Sequence, residues 1–318
     1  MRCLYCYNEL ENGLVDFHPD CSRKIFGTRV PPRLPYDEKQ MLELGKQVIK
    51  SHVAVTGVQP KLSLDIEKTG RHIGKMEPKR FTIVGLWGGY ILKPPTSAYP
   101  QLPQLEDLTM HLAALSGIAT VPHSLIRMQS GILAYITKRI DRVRSEKIHM
   151  EDMCQLTERL TENKYKGSYE QIAKAIIKYS INPGLDMIDF FEQVVFSFLT
   201  GNADMHLKNF SLIKRPGIGY MLSPAYDMIP SSLVTEGDNE ELALNLNGKK
   251  RKLQKKDFDA FVIAVKLLEE RSVENIYNKF RTTIPRWFDF IPVSFIDKDL
   301  QGQYISLIKE RADVLGLM

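Results

Sequence analysis

Residues 201–210 read "GNADMHLKNF" and follow directly on "MIDFFEQVVFSFLT", the apolar run of residues 187–200. Within a few positions the chain places a carboxylate, an imidazole, an ammonium group and an amide, at Asp204, His206, Lys208 and Asn209. A buried helix avoids such a mixture unless each polar group has a partner. The stretch therefore predicts a loop that leaves a buried helix and carries chemically active side chains.

The segment after this loop, "NFSLIKRPGIGYMLSPAYD" (209–227), predicts a hairpin with a Pro-Gly turn. Asp204 and Asn209 are five positions apart, and Asp227 follows eighteen positions after Asn209. The catalytic base and the metal-binding amide of the protein-kinase loop have the same separation, and a second magnesium-binding acid follows them. A single Asp-x4-Asn pair is common, and the alternative is a solvated loop with an Asx-turn. The prediction of a phosphoryl-transfer site therefore depends on the three residues together.

A kinase site also needs a cation on a sheet and an acid that holds it. "GGYILKPP" (88–95) supplies Lys93 at the end of a predicted strand, and "LEDLTMHLAALSGI" (105–118) supplies Glu106 on a predicted helix. The alternative interpretation of Lys93 is a surface lysine at the end of a hairpin. Only the other elements of the site favour the functional interpretation.

A third element is "AVTGVQPKLSL" (54–64), which predicts a loop over the nucleotide phosphates. Gly57 allows close approach of the backbone, and Thr56 and Val58 flank it. Such a loop is a weak signal, because an ordinary hairpin turn has the same composition.

The pattern of apolar residues changes along the chain and predicts two lobes. Residues 45–142 contain short alternating runs and one main helix, which predict a β-rich nucleotide-binding lobe with a small mixed sheet. Residues 143–318 predict a mostly helical catalytic lobe, with amphipathic runs at 168–180, 185–200, 256–270 and 297–315. A Pro-rich linker at 29–44 precedes both. We expect a two-lobe α+β fold.

Three of the four cysteines lie in the first 21 residues, where Cys3 and Cys6 form a C-x2-C pair and His18 and Cys21 form an H-x2-C pair. Two close pairs of soft ligands are typical of a closed tetrahedral zinc site, which stabilises a module too small to build its own core. We therefore interpret residues 1–28 as a zinc knuckle with a structural ion. The alternative is a set of reduced thiols beside a chance histidine.

Composition excludes several classes of protein. The chain has 318 residues, of which 43% are hydrophobic and 25% charged, and a net charge of +5. This mild excess suits phosphate-bearing ligands but falls short of the basic stripe of a dedicated nucleic-acid-binding protein. No apolar run approaches the roughly 18 residues needed to span a bilayer, and there is no signal-peptide pattern. We expect a cytoplasmic protein that makes no contact with membranes.

Eight motifs resemble, in order and spacing, those of the HipA family, bacterial serine/threonine kinases that act as toxins of type II toxin–antitoxin systems. They are "VTGVQPKLSL", "YILKPP", "LEDLTMHLAALSGI", "ITKRIDR", "HMEDMCQL", "GNADMHLKNFSLI", "LSPAYDMIP" and "LALNLNGKKRKL". The resemblance covers roughly residues 45–318. It implies a bilobal, protein-kinase-like fold and ATP and magnesium as cosubstrates. It also implies phosphorylation of a protein such as an aminoacyl-tRNA synthetase, which arrests translation and growth.

By position in the motifs, the resemblance implies Asp204 as the catalytic base and Asn209 and Asp227 as the magnesium ligands. His206 and Lys208 would support the loop, with Lys208 near the transferred phosphate, where its charge would offset the charge that develops there.

For the nucleotide, the resemblance implies Lys93 as the ligand of the phosphates and Glu106 as its helix acid. The "ITKRIDR" segment corresponds to the hinge strand of the family, so the backbone at Lys138 and Ile140 would hydrogen-bond adenine.

The resemblance also implies partners. We expect a helix-turn-helix antitoxin of HipB type, and DNA only through that complex. The family's long form begins with an extra domain, which a separate small protein supplies in some short members. This sequence has the Cys/His segment instead, so we interpret it as a short form. Relatives often phosphorylate a serine in the phosphate loop. Here the corresponding positions are Ala54 and Thr56, which leaves Thr56 or the nearby Ser51 as the candidate.

Two other functions stay open. A small-molecule phosphotransferase of the aminoglycoside or choline kinase kind uses the same catalytic residue types. A non-catalytic scaffold for a DNA-binding antitoxin would need only the fold. The set of Lys93, Asp204, Asn209 and Asp227 favours an enzyme over a scaffold, because a scaffold has no need for magnesium ligands.

Overall fold

The computed structural model describes residues 1–41, 43–44, 61–67, 78–84, 88–143, 146–235, 237, 239–266 and 268–318. The chain divides into two compact units. The first comprises Met1–Asp107 and Val121–Ser145, and the second comprises Leu108–Thr120 and Glu146–Met318. A sheet dominates the first unit and helices dominate the second, so the predicted α+β class is confirmed.

A five-stranded sheet with the strand order 2-1-3-5-4 forms the core of the first unit. Its strands are β1 (Leu62–Ile66), β2 (Phe81–Ile83), β3 (Tyr90–Lys93), β4 (His123–Arg127) and β5 (Leu133–Lys138). All four described pairings are antiparallel, whereas a mixed sheet was predicted. Antiparallel neighbours need only short connections, such as the turn between β4 and β5, whereas parallel neighbours need a long crossover.

The amino-terminal segment packs on this sheet. Helix α1 (Pro19–Phe26) begins with Pro19 and is capped by Gly27, which has the left-handed conformation common at helix C-termini. Phe26 of α1 lies edge-on to Phe81 of β2, with ring centroids 5.7 Å apart, and near Tyr90 of β3. The segment therefore shares the hydrophobic core of the sheet.

Helix α2 (Leu102–Leu115) begins three residues before the predicted start, and its residues up to Asp107 belong to the first unit. The predicted stop at Gly117 is present, since Gly117 has a φ of 76°. Leu105 and Glu106 are both buried on this helix. Burial of Glu106 requires a partner for its charge.

The second unit contains α3 (Met153–Leu156), α4 (Tyr169–Tyr179), α5 (Pro183–Leu199), α6 (Lys255–Val265), α7 (Glu270–Phe290) and α8 (Lys298–Leu315). A three-stranded antiparallel sheet joins β8 (Met150–Asp152), β9 (Ser211–Arg215) and β10 (Gly219–Leu222). Two short strands precede this sheet in the chain: β6 (Arg142–Val143) belongs to the first unit, and β7 (Glu146–Lys147) belongs to the second. Short 3-10 turns lie at Thr161–Asn163, Leu207–Asn209, Ser231–Leu233 and Ile291–Val293. The predicted hairpin is confirmed as β9 and β10.

Helix α5 is the centre of the second unit. From Phe190 to Leu199 every residue is buried. Phe190 packs edge-on against Phe210, with centroids 5.1 Å apart, and Phe196 packs edge-on against Trp287 of α7 at 5.5 Å. Each fully buried aromatic ring of this kind contributes about 1.5–3 kcal/mol. The apolar run before "GNADMHLKNF" is therefore the helix around which the others pack.

The predicted helix at 256–270 was wrong at its end, and α7 was missed. Helix α6 ends at Val265 because Lys266 adopts a left-handed conformation with a φ of 58°. Helix α7 then continues through Pro285, although proline removes a backbone hydrogen bond and normally ends a helix. The buried face of α7, which includes Phe280 and Trp287, offsets this loss. Across the part of the chain that the structure describes, no helix is both long and apolar enough to cross a membrane.

Candidate active site

The backbone after α5 turns sharply at Gly201, which has a left-handed φ of 66°. A Cβ atom at this position would lie 2.5 Å from Leu307 Cδ2, so a larger residue would have to push the Leu307 side chain aside. The Gly201 carbonyl accepts a hydrogen bond of 3.0 Å from the amide of Ser232. The turn therefore needs glycine for both its conformation and its packing.

Two asparagine side chains hold the loop around Asp204. The buried Asn202 accepts a bond of 3.2 Å from the Asp204 amide, and Asn209 donates from Nδ2 to the Asp204 carbonyl at 3.0 Å. The Asp204 side chain itself is 42% exposed. Its backbone is thus fixed while its carboxylate faces solvent, as a base for an external hydroxyl must. Because Asn209 donates from its amide nitrogen, its amide oxygen remains for a metal ion.

His206 lies beneath the exposed carboxylate and is buried. Its Nε2 atom is 3.9 Å from Asp204 Oδ1. Burial, with a smaller contribution from the positive charge of Lys164, lowers the pKa of His206 to about 4 despite the opposing effects of Asp204 and Asp227. The imidazole is therefore neutral near pH 7, and it supports the loop by packing.

Tyr165 is a residue that sequence reasoning missed. Its hydroxyl donates a hydrogen bond to Asp204 Oδ1, and its ring lies edge-on to His206 with centroids 4.9 Å apart. The contact joins positions 39 residues apart in the chain. Its only sequence signal is an aromatic residue in the polar stretch "ENKYKG" (162–167), which is too weak to predict the contact.

Lys208 pairs with Asp152, another residue that sequence reasoning did not single out. Lys208 Nζ lies 2.8 Å from Asp152 Oδ2, and Asp152 also caps helix α3 by accepting from the Gln155 amide. The side chains of Lys208 and Asp152 are 34% and 14% exposed. The ammonium group is therefore anchored at the site with one face open to solvent.

The "AYD" segment is tied to the same loop. Tyr226 donates to the Lys208 carbonyl at 2.9 Å and accepts from Ser211 at 2.5 Å. Burial raises the pKa of Tyr226, so the phenol stays protonated. Asp227 follows in a left-handed conformation with a φ of 61°, which is strained for most residues but tolerated by Asp and Asn. Its charge contributes to the electrostatic field at His206. The structure thus brings Asp227 to the Asp204 loop.

Lys93 and Glu106 form a buried ion pair in the first unit. Lys93 Nζ lies 2.5 Å from Glu106 Oε1, and the two side chains are 4% and 0% exposed. Lys93 also lies 5.4 Å above the ring of Tyr135 on β5, which sequence reasoning missed. The expected pairing is present, and the role of Lys93 toward a nucleotide stays a prediction.

The remaining predicted nucleotide residues are only partly described. The Lys138 amide donates to the Pro122 carbonyl at 2.8 Å, so its N–H group is already used within the sheet unit. The groups that remain as predicted hydrogen-bonding partners of adenine are the Lys138 carbonyl and the backbone of Ile140. The phosphate-loop residues Thr56, Gly57 and Val58, together with Ser51 and Ala54, lie outside the described residues.

The four residues of the predicted zinc knuckle, which we term the Cys/His group, come together in the first unit. The ligand atoms of Cys3, Cys6, His18 and Cys21 all lie within 4.8 Å of one another. Three thiols and one imidazole form a donor set that fits zinc.

Comparison with known proteins identifies the family. The model of the HipA-like C-terminal domain matches residues 53–288. The protein from Sinorhizobium fredii named "Putative kinase Y4dM" is 32% identical over 276 residues, which cover 82% of this chain and 63% of that protein. The chain belongs to the HipA-like C-terminal domain family.

A second relative from Haemophilus influenzae, named "Putative kinase", is 28% identical over 223 residues, which cover 66% of this chain and 62% of that protein. The chain therefore spans less than two thirds of the length of these HipA-like relatives. Residues 1–28, with the Cys/His group, lie outside the segment that the family model matches.

Among solved structures, the HipA toxin of Shewanella oneidensis, in complex with HipB and operator DNA, has a TM-score of 0.69 and 23% sequence identity. The match covers 83% of this chain and 65% of that chain. It supports the HipA-like fold.

Proposed function

We propose that this protein is an ATP- and magnesium-dependent serine/threonine protein kinase and acts as the toxin of a toxin–antitoxin pair. The observation that carries the proposal is the convergence of Asp204, Asn209 and Asp227 on one loop system, in which Asn209 is buried and the Asp204 side chain is 42% exposed. The family membership and the names of the two relatives support the same reaction class.

In the proposed reaction, a substrate hydroxyl oxygen attacks the γ-phosphorus of ATP, and the bond from that phosphorus to the β–γ bridging oxygen breaks. ADP leaves, and Asp204 accepts the hydroxyl proton. When bound, magnesium neutralises charge on the phosphate oxygens. The Asn209 amide oxygen and the Asp227 carboxylate are the ligands that this chain offers, and both are oxygen donors of the kind that magnesium prefers.

The other side chains orient and balance charge. His206 holds the loop in place without adding a positive charge beside the base, because burial keeps it neutral near pH 7. Lys208 supplies a fixed cation whose position Asp152 sets. The first unit supplies Lys93 for the nucleotide phosphates, and Glu106 holds its ammonium group in place.

We also propose the partners and the remaining cofactor. The Shewanella oneidensis HipA structure contains HipB and operator DNA, which supports a helix-turn-helix antitoxin for this chain and DNA contact through that complex. The proposed acceptor is a translation protein such as an aminoacyl-tRNA synthetase. A structural zinc ion in the Cys/His group completes the cofactors, and it takes no part in phosphoryl transfer.

The test is a phosphoproteomic comparison of bacterial lysate incubated with ATP, magnesium and one of three proteins. These are the wild type, Asp204→Asn and the control Asp299→Asn, an exposed acid in the first turn of α8. We expect new serine or threonine phosphorylation with the wild type and the control, and at least about 100-fold less with Asp204→Asn, because the base is lost.

Calorimetry with ATP distinguishes the alternatives. We expect Asp204→Asn to bind ATP as the wild type does, because Asp204 acts on the acceptor hydroxyl. Equal protein phosphorylation by Asp204→Asn would contradict the assigned base. ATP turnover by the wild type without any protein phosphorylation would favour a small-molecule phosphotransferase, and absence of ATP binding would favour a scaffold.

A further inference from the structure

The geometry of the Cys/His group matches a tetrahedral metal site. The Cys6 and Cys21 sulfur atoms lie 3.5 Å and 3.8 Å from His18 Nδ1. Zinc bonds of about 2.3 Å to sulfur and about 2.05 Å to nitrogen, at a tetrahedral angle, place the two ligand atoms about 3.6 Å apart. The two sulfur atoms are therefore at the distances from His18 Nδ1 that one shared ion requires.

The hydrogen bond of the second nitrogen of His18 also supports a metal site. His18 Nε2 lies 2.9 Å from the Glu9 carbonyl oxygen, to which it donates a hydrogen bond. That bond places the proton on Nε2, so the lone pair of Nδ1 faces the thiols. Metal-binding histidines are held in this way, with the non-ligating nitrogen bonded to a backbone carbonyl.

A disulfide does not account for this cluster. A disulfide uses two sulfur atoms, whereas three thiols and an imidazole meet here, and none of the described cysteines is paired with another.

Local structure brings together the residues within each of the two Cys/His pairs. The Tyr7 amide donates to the Cys3 carbonyl at 2.9 Å, which closes the first loop, and α1 brings Cys21 one turn after His18.

The loop of the Cys/His group is hydrogen-bonded to the sheet. The Leu4 carbonyl accepts from the Leu125 amide at 3.2 Å and from the Ser124 hydroxyl at 3.0 Å. The Tyr90 hydroxyl on β3 donates to the Ile25 carbonyl of α1 at 3.1 Å. The segment therefore contacts both the strand that carries Lys93 and the strand β4.

One contact leads from this loop to helix α2. Tyr7, the residue after Cys6, donates its hydroxyl proton to Asp107 Oδ2 at 2.8 Å, and both residues are buried. The other carboxylate oxygen of Asp107 lies 2.7 Å from His123 Nδ1. Asp107 directly follows Glu106, so a hydrogen bond that fixes Asp107 also fixes the turn of helix that carries Glu106.

We infer that the Cys/His group binds one zinc ion, and that the metal-held loop positions the helix turn bearing Glu106 through the Tyr7–Asp107 hydrogen bond. Tyr7 is a positioning residue in this arrangement, and the zinc ion is structural because all four of its ligands come from the protein. Without the ion, three thiols and an imidazole no longer hold the loop closed, and Tyr7 loses its fixed place.

The first experiment measures the metal in the full-length protein by plasma mass spectrometry. We expect one zinc per chain in the wild type and in Cys154→Ser, a buried cysteine of α3 outside the group. We expect none in the double variant Cys6→Ser with Cys21→Ser. A wild type that stays free of zinc after incubation with zinc salt, or a double variant that keeps zinc, would overturn the metal site.

A measurement on the wild type alone covers the case in which the double variant does not fold. Replacement of zinc by cobalt gives sulfur-to-cobalt charge-transfer absorption only where thiolates bind the metal. We expect this absorption in stoichiometric amount. Cobalt uptake without it would overturn binding by the three cysteines.

The second experiment follows hydrogen exchange of the amides in Leu102–Leu115. We expect exchange near Asp107 to rise roughly tenfold on removal of zinc by a chelator, the effect that loss of one hydrogen bond to a charged group predicts. Tyr7→Phe should cause the same rise while zinc stays bound. Tyr99→Phe, a change at a partly exposed tyrosine, is the control and should leave exchange unchanged.

Exchange near Asp107 that stays unchanged in both zinc-free wild type and Tyr7→Phe would overturn the coupling. Both readouts are independent of the proposed kinase activity. A chain that binds zinc and shows the coupling but never binds ATP would contradict the proposed function and leave this inference supported.

Discussion

The Lys93–Glu106 pair and the Asp204 loop differ in how far their charged side chains are exposed to solvent. Lys93 and Glu106 have side chains that are 4% and 0% exposed, whereas the Asp204 side chain is 42% exposed beside the buried His206. Removal of one partner of a buried ion pair strongly lowers the free energy of unfolding, because the other charge stays buried and unpaired. An exposed carboxylate costs little to change, because water solvates it. Substitutions in the Lys93–Glu106 pair should therefore affect stability, whereas substitution of Asp204 should affect the reaction.

Removal of the Glu106 charge should lower the stability of the fold more than substitution of His206 or Asp227. Glu106→Gln leaves the Lys93 ammonium buried without its counter-charge, and we expect a loss of about 3–5 kcal/mol in the free energy of unfolding. Urea denaturation measures it, with Glu310→Gln at an exposed position of α8 as the control. The double variant Lys93→Met with Glu106→Leu should recover much of the loss. A double variant as unstable as the single one would contradict this account.

The next effect is on the pH dependence of stability. Burial lowers the folded-state pKa of His206 from 6.5 to about 4, so the unfolded chain takes up this proton first as pH falls. The stabilising contribution is complete above about pH 6.5 and is lost progressively down to about pH 4. Between about pH 7.5 and about pH 5 we expect His206 to account for roughly 2 kcal/mol of lost stability.

Urea midpoints of the wild type and His206→Gln at the two pH values check this expectation. The difference between the two proteins isolates His206, because the other titrating groups contribute to both. An equal loss of stability in both proteins would mean that the imidazole is solvated, and the contrast between the buried support and the exposed base would then fail.

The smallest expected effect is on metal-dependent binding. Asp227→Asn keeps a residue type that tolerates the left-handed backbone, so folding should change by less than about 0.5 kcal/mol. The loss of a charged magnesium ligand should weaken magnesium-dependent ATP binding by about tenfold or more. Calorimetry at several magnesium concentrations measures this, and Asp227→Ala separates backbone strain from the loss of charge. Unchanged affinity in Asp227→Asn would remove Asp227 from the metal site.

The sequence predicted those parts of the site that depend on residues close together in the chain. The Asp-x4-Asn spacing, the hairpin with its Pro-Gly turn and the two Cys/His pairs depend on residues within a few positions of each other, and the structure has the corresponding loop, hairpin and cluster. Helix α7 was missed for the opposite reason. Its internal Pro285 is a local stop signal, and packing of Phe280 and Trp287 in the core overrides it.

The residue types, their spacing and the elements on which they lie therefore follow from the sequence, because propensity and hydrophobic periodicity act over a few residues. Which distant side chains contact each other depends instead on tertiary packing. Tyr7 bonds to Asp107 across 100 positions, Lys208 to Asp152 across 56 and Tyr165 to Asp204 across 39. Such contacts form only where packing brings distant segments together and excludes water, and no local pattern encodes that geometry.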